Sequence, residues 1–279
     1  MMLTGRTRLA GVVGWPVSHS MSPALHGYWL SQYAIDGAYV PLAVNPKDLE
    51  SALRALPLLG FRGVNLTIPH KEAAMHFVDE VDSLARCIGA INTVFVDANG
   101  RLKATNTDGF GFLANLRHSL PEYDVRGGTA IVLGAGGAAR SVVGALCGAG
   151  VSKLYVANRT RRRAEKLTAA IGGPTNVVSW AERNDVLNEV GLVVNATALG
   201  MVGKPSLDLV LNALQPDAVV ADLVYSPKET LLLKNARLNE HRAVSGLGML
   251  LYQAVPGFEG WFGVKPEVTE DLLAHISAE

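Results

Sequence analysis

The stretch Ile131-Val132-Leu133-Gly134-Ala135-Gly136-Gly137-Ala138-Ala139-Arg140 decides the fold. An apolar run breaks into glycines and resumes as a small-residue helix pattern, which reads as strand, tight turn and helix. Gly134 permits the turn, Gly136 lets backbone approach a pyrophosphate, and Ala139 fills the small-residue place where helix packs on strand. The N-terminus of such a helix offers unpaired N–H groups and a dipole that favours negative charge. After Gly150, Lys153-Leu154-Tyr155-Val156-Ala157 supplies the second strand of a βαβ unit.

That second strand runs into Asn158-Arg159-Thr160-Arg161-Arg162-Arg163, where an NAD site usually carries an acid for the ribose 2′-hydroxyl. No acid stands there. A guanidinium matches phosphate oxygens in a two-pronged fork, so Arg159 and one of the later arginines suit the extra phosphate of NADP. Arg161 and Arg162 read as solvated charges at the start of a helix.

The 279 residues suffice for two modest domains. Lys plus Arg and Asp plus Glu number 25 each, so no global field draws nucleic acid or a membrane surface, and small, locally recognised ligands are expected. Cys87 and Cys147 lie far apart within helix-like apolar patterns and read as buried, reduced thiols. No stretch has the length of a signal peptide or a membrane span, which points to the cytoplasm. The seven histidines are scattered without metal-ligand spacing, so no metal is expected.

Ahead of the nucleotide motif, strand and helix patterns alternate: strands at 9–14, 38–44 and 63–68, and helices at 22–33, 45–56 and from Pro69 onward. The alternation argues for an α/β domain with a largely parallel sheet, in which ligands gather beyond the carboxyl ends of strands. Ser22 before Pro23 reads as a helix N-cap. Ser20 lies outside that helix, and the two hydroxyls with the helix N-terminus form a neutral cradle for a carboxylate. Asn65, Thr67 and Lys71 sit at a strand end. Lys71 is a candidate proton donor, since a lysine in a partly dry site has a lowered pKa. Asn99-Gly100 signals a hairpin, and the returning strand ends in Thr105-Asn106-Thr107-Asp108. Asp108 is either a helix cap or the partner that holds and tunes Lys71. Later strands are expected at 177–178, 192–195 and 218–224.

Together these segments resemble shikimate dehydrogenases. The likeness rests on Ser18-His19-Ser20-Met21-Ser22-Pro23, Asn65-Leu66-Thr67-Ile68-Pro69-His70-Lys71, Gly89-Ala90-Ile91-Asn92-Thr93 and Asn106-Thr107-Asp108-Gly109. It continues through Gly134-Ala135-Gly136-Gly137-Ala138-Ala139, Asn158-Arg159-Thr160 with Arg163, and Gly246-Leu247-Gly248-Met249-Leu250 with Gln253. The resemblance implies an α/β fold of two domains: a substrate domain over 1–108 plus about 249–279, and a Rossmann-type NADP domain over 109–248, with the C-terminal helix returning to the first. It implies that Lys71 and Asp108 are the catalytic pair, and that Ser20, Ser22, Asn65, Thr67, Asn92, Tyr225 and Gln253 hold shikimate. On the cofactor side it implies Gly134, Ala135, Gly136, Gly137, Ala138, Asn158, Arg159, Thr160, Arg163, Thr197, Met201 and Met249.

Two residues depart from the family pattern: Ala104, where glycine is common, and Ala198, where serine is frequent. The implied reaction is reversible reduction of 3-dehydroshikimate by NADPH in aromatic amino acid biosynthesis, and a homodimer is compatible with it. The alternatives are a quinate/shikimate dehydrogenase that uses NAD and a non-catalytic NADP-binding sensor.

Overall fold

The computed structural model describes residues 3–278. The chain divides into two compact units: residues up to Thr107 together with those from Gln253 onward, and Asp108–Tyr252.

The first unit carries a six-stranded sheet ordered β2-β1-β3-β5-β6-β4, formed by β1 (Arg8–Gly14), β2 (Gly37–Ala43), β3 (Phe61–Leu66), β4 (Glu80–Val81), β5 (Thr93–Val96) and β6 (Leu102–Thr105). Strand β1 pairs in parallel with both β2 and β3, whereas β5 runs antiparallel to β3 and β6. Strand β4 is parallel to β6, so five of the six strands share one direction and β5 alone opposes them: the sheet is largely parallel, as the alternation of strands and helices leads one to expect. The antiparallel pairing of β5 with β6 follows from the Asn99-Gly100 turn, where Gly100 takes a φ of 76° and sends β6 back along β5. Helices α1 (Ser22–Gln32), α2 (Leu49–Ala55) and α3 (Ser83–Ile88) connect the strands. Val13, Leu53, Val64, Leu66, Ile91 and Val94 form the core on one side of the sheet.

Two local expectations are corrected. The segment after Pro69 is no α-helix; it turns and makes only a 3₁₀ turn over Ala73–His76. Ile91 N–H takes the Lys71 carbonyl at 2.9 Å, removing the acceptor that a continuing helix needs at that point. Cys87 is exposed and Cys147 half-buried, because the six-residue α3 turns Ala85 and Ile88, not Cys87, toward the core.

The second unit opens with α4 (Asp108–Ser119) and builds a wholly parallel sheet from β7 (Thr129–Leu133), β8 (Lys153–Ala157), β9 (Thr175–Val178), β10 (Leu192–Asn195), β11 (Val219–Asp222) and β12 (Arg242–Ser245). The order β12-β11-β10-β7-β8-β9 is doubly wound, with β7 at its centre and the chain leaving first to one side and then to the other. Helices α5 (Gly137–Gly148), α6 (Arg161–Ile171) and α7 (Leu231–Leu238) make the crossovers. Buried apolar layers cover both faces of the sheet, Val142, Leu146 and Leu167 among one and Leu187, Leu211 and Leu233 among the other. This explains why β7 and β10 read as continuous apolar runs.

Helix α8 (Gly246–Phe262) begins in the second unit, and from Gln253 its residues belong to the first, as does α9 (Glu270–Ala278). Trp29 on α1 donates from Nε1 to the Glu267 carbonyl at 2.9 Å, and Trp261 on α8 donates to the Val94 carbonyl at 3.1 Å. These bonds tie the C-terminal segment to the first unit.

Candidate functional site

In the first unit, the carboxyl ends of β1 and β3 and the start of β5 bring together side chains that the chain separates widely. The Asn65 amide is held at both ends. Its Oδ1 accepts from the Tyr39 hydroxyl at 2.7 Å, and its Nδ2 donates to the Asn92 carbonyl and Thr93 Oγ1, both at 3.1 Å. The Asn92 amide donates to Thr107 Oγ1 at 3.0 Å and to Gln253 Oε1 at 3.2 Å, and its Oδ1 accepts from Thr107 N–H at 2.8 Å. Thr107 in turn donates from its hydroxyl to the Gln253 carbonyl at 2.8 Å. Asn65, Asn92, Thr93, Thr107 and Gln253 are all buried. Such a group survives burial only because nearly every donor finds an acceptor, and it presents amides and hydroxyls, without net charge, at the strand ends.

Ser22 departs from its expected role. It is the first residue of α1, ahead of Pro23, with Met21 at the cap position and no side-chain cap bond. The Ser22 hydroxyl instead meets the Tyr39 phenol, while Ser22 N–H donates to Ser20 Oγ at 3.3 Å. Burial drives the Tyr39 phenol well above its ordinary pKa, the Ser22 bond opposing. Thr67 is half-buried just beyond β3, and Lys71 is half-buried on the turn that follows. That turn is pinned by His70, whose Nε2 donates to the Val44 carbonyl at 2.9 Å and whose pKa burial lowers. Asp108 is buried at the first turn of α4, in the second unit.

Sequence reasoning missed three members of this network: Tyr39, Thr93 and Thr107. Thr107 and Thr93 each adjoin a residue that was singled out. Tyr39 stands in a strand pattern where only its hydroxyl sets it apart from its neighbours.

In the second unit the glycine-rich turn behaves as its sequence reads. Gly134 has a φ of 122°, and a Cβ there would lie 2.6 Å from the Ala196 carbonyl oxygen, so only glycine fits. Gly136 caps α5 in extended conformation without any side-chain cap bond, and a Cβ on it would meet nothing within 4 Å. The start of α5 thus lies at the end of the central strand with no side chain capping it and open space beside Gly136, which fits a pyrophosphate. Ala135 is buried, Gly137 and Ala138 are half-buried, and Ala139 is fully buried against the sheet.

Beyond β8, Asn158 Nδ2 donates to the Thr160 carbonyl at 2.9 Å and sets the turn into α6. Thr160 caps α6 with no side-chain bond of its own. Arg159 and Arg163 are exposed there, whereas Arg161 pairs with Glu165 one turn along α6 at 2.9 Å. Exposed guanidiniums beside a helix N-terminus, with no carboxylate in the turn, fit a ribose phosphate.

Thr197 is half-buried on the loop after β10 and Met201 exposed farther along it; Met249 packs into the core of the unit. Tyr225, after β11, has its phenol pKa raised by burial.

A doubly wound dinucleotide-binding sheet, joined in one chain to a mixed α/β unit with an uncharged hydrogen-bonding cluster at its strand ends, defines a two-unit nicotinamide-linked dehydrogenase. Residues 12–94 match the shikimate dehydrogenase substrate binding domain, and residues 116–203 match the shikimate / quinate 5-dehydrogenase domain. The chain is 56% identical to the NADP(+) shikimate dehydrogenase of Paramagnetospirillum magneticum over 98% of its own length and 99% of that protein. It is 53% identical to the one from Rhodospirillum rubrum over 99% of each chain. Among solved structures, a shikimate dehydrogenase in complex with NADP+ superposes with a TM-score of 0.90 at 33% identity, covering 99% of this chain and 96% of the other. The Thermus thermophilus enzyme in complex with NADP(H) and shikimate gives 0.85 at 34% identity over 98% of each. The chain belongs to the shikimate dehydrogenase family.

Proposed function

We propose that this protein catalyses the reversible reduction of 3-dehydroshikimate to shikimate with NADPH, a step of aromatic amino acid biosynthesis. The observation that carries this reading is the pairing of an uncharged amide and hydroxyl cluster in one unit with a turn rich in arginine and free of acid in the other. A substrate with one carboxylate and several hydroxyls needs groups that both give and accept hydrogen bonds. Asn65, Thr67, Asn92 and Gln253 meet that need, Ser20 and Ser22 receive the carboxylate once the Ser22 hydroxyl turns to it from the Tyr39 phenol, and Tyr225 borders the ring.

NADPH, when bound, supplies the hydride. Gly134, Ala135, Gly136, Gly137 and Ala138 cradle its pyrophosphate, and Asn158, Arg159, Thr160 and Arg163 hold its 2′-phosphate. Thr197, Met201 and Met249 border the nicotinamide. During reduction the substrate carbonyl oxygen gains charge and takes a proton. Lys71 is the residue that stabilises and protonates that oxygen, and Asp108 orients the lysine and the substrate hydroxyl. In the direction of oxidation Lys71 receives the proton back.

The same proposal places the enzyme in the cytoplasm and is compatible with a homodimer; sedimentation velocity reads the oligomeric state. Among the described residues no helix is long and apolar enough to cross a membrane.

Initial rates for purified protein with shikimate or quinate, each against NADP and NAD, test the reading. Turnover concentrated in the shikimate and NADP combination supports it. Comparable rates with NAD or quinate move the protein to the broader quinate/shikimate type, and NADP binding without turnover makes it a sensor.

A further inference from the structure

The last residues of two neighbouring strands, Asn195 of β10 and Asp222 of β11, lie opposite each other in the parallel register. Both are fully buried. Asn195 spends every hydrogen-bonding site of its amide. Its Nδ2 donates to Asp222 Oδ1 at 2.8 Å and to the Leu199 carbonyl at 3.0 Å, and its Oδ1 accepts from the N–H and the hydroxyl of Thr197 at 3.1 and 2.7 Å. Asp222 uses its two oxygens for different purposes. Oδ1 accepts from Asn195 and from Val224 N–H at 3.0 Å, on the side of the loops, while Oδ2 accepts from the Thr230 hydroxyl at 2.7 Å, and Thr230 caps α7.

The loop after β10 carries Thr197 and the loop after β11 carries Tyr225. The two also meet through Val202 N–H and the Ser226 carbonyl at 3.2 Å. We propose that Asp222 is a positioning residue: acting through Asn195 and Val224, its Oδ1 fixes the loops that present Thr197 to the cofactor and Tyr225 to the substrate. A buried carboxylate is an expensive way to join two strands, because a close-packed apolar pair does that without desolvating a charge. What an apolar pair lacks is the acceptor at the Oδ1 position, which sets both loops at once. The proposal rests on the cofactor and substrate contacts assigned above.

The geometry makes the two oxygens separable. Asp222→Asn keeps an oxygen toward Asn195 and Val224 and gives up only the bond on the Thr230 side. Asp222→Ala removes both. Thr230→Val cuts the α7 side alone. We expect Asp222→Ala to lower kcat/KM by about tenfold or more, as small displacements of reacting groups do. The amides of Thr197, Leu199 and Val224 should then exchange faster with solvent deuterium. Asp222→Asn should hold kcat/KM within about threefold of the parent, and Thr230→Val should lose thermal stability with unchanged kinetics.

A folded Asp222→Ala protein with parental constants, or an Asp222→Asn protein as slow as Asp222→Ala, overturns the assignment. Should Asp222→Ala fail to fold, Asn195→Ala cuts the same link from the other strand and is read in the same way. Thr197→Val and Tyr225→Ala report on the contacts themselves. Unchanged constants in both overturn the contact assignment and the positioning role with it. Changed constants there, beside an unaffected Asp222→Ala, overturn the positioning role alone.

Discussion

The Tyr39 hydroxyl donates to Oδ1 of Asn65 at 2.7 Å, and this bond decides which way the Asn65 amide faces. With Oδ1 committed to Tyr39, Nδ2 turns to the Asn92 carbonyl and Thr93, so strand β2 orients a side chain of β3 and, through it, one of β5. Removing the phenolic oxygen leaves a buried amide oxygen short of a donor and the Ser22 hydroxyl short of a partner. Tyr39→Phe should therefore cost about 1–3 kcal/mol in denaturant unfolding. It should raise KM for shikimate several-fold while leaving KM for NADP unchanged; an unchanged shikimate KM would contradict the role given to this network.

His26 lies against the other face of Tyr39, stacked at 3.8 Å with a 5° tilt, and is enclosed by Trp29, Phe258 and Trp261. Neither ring nitrogen has a hydrogen-bond partner, and burial pushes its pKa from 6.5 down to about 3. Between those values the unfolded chain binds a proton that the folded chain refuses. Stability is thus fully present above 6.5 and falls as pH drops toward about 3, with a limiting slope of roughly 1.4 kcal/mol per unit. His26→Phe keeps an aromatic ring in the stack and removes the titration. Unfolding curves at neutral and mildly acidic pH should show the parent losing stability on acidification by more than the variant does. Parallel losses in both would place the acid sensitivity elsewhere.

Lys71 has its backbone anchored by Ile91 and its side chain half-buried, so replacing it alters chemistry more than folding. Lys71→Ala should reduce kcat by about 10²–10⁴, the usual worth of a positioned acid, with a much smaller change in shikimate KM. Near-parental turnover would remove Lys71 from the mechanism.

Arg159 is exposed at the end of β8, whereas Arg161 is engaged by Glu165. Arg159→Ala should weaken NADP by about tenfold to a hundredfold, the worth of a charge-assisted bond to phosphate, and leave NAD kinetics alone. Arg161→Ala should change neither. An equal loss for NADP and NAD would mean that Arg159 does not read the 2′-phosphate.

How much of this was legible in the sequence follows from the range of the forces involved. The Gly134 turn, the apolar strands on either side of it and the arginines after β8 are local signals, each contained in about ten residues, and the doubly wound sheet follows from them. Strand β12 escaped because Arg242–Ser245 buries only Val244, too little to give a pattern. The bond between Asn92 and Gln253 spans 161 positions, and no local pattern contains it; only the likeness to a family pointed to both residues. Ser22 shows the opposite failure. Serine before proline at a helix start is a strong local cue for a cap, yet a phenol from the neighbouring strand took the hydroxyl. The structured turn after Pro69 was misread as a helix for the same reason, since the competing donor, Ile91 N–H, comes from a different element.

The central claim is that this chain moves hydride from NADPH onto the keto carbon of 3-dehydroshikimate. The most direct measurement supplies NADPH carrying deuterium on the transferable position, together with unlabelled 3-dehydroshikimate, and reads the product by mass spectrometry and NMR. The account predicts shikimate with one deuterium, on the carbon that bears the new hydroxyl. Shikimate without deuterium, or deuterated NADPH left unconsumed by a folded protein that binds it, would contradict the account.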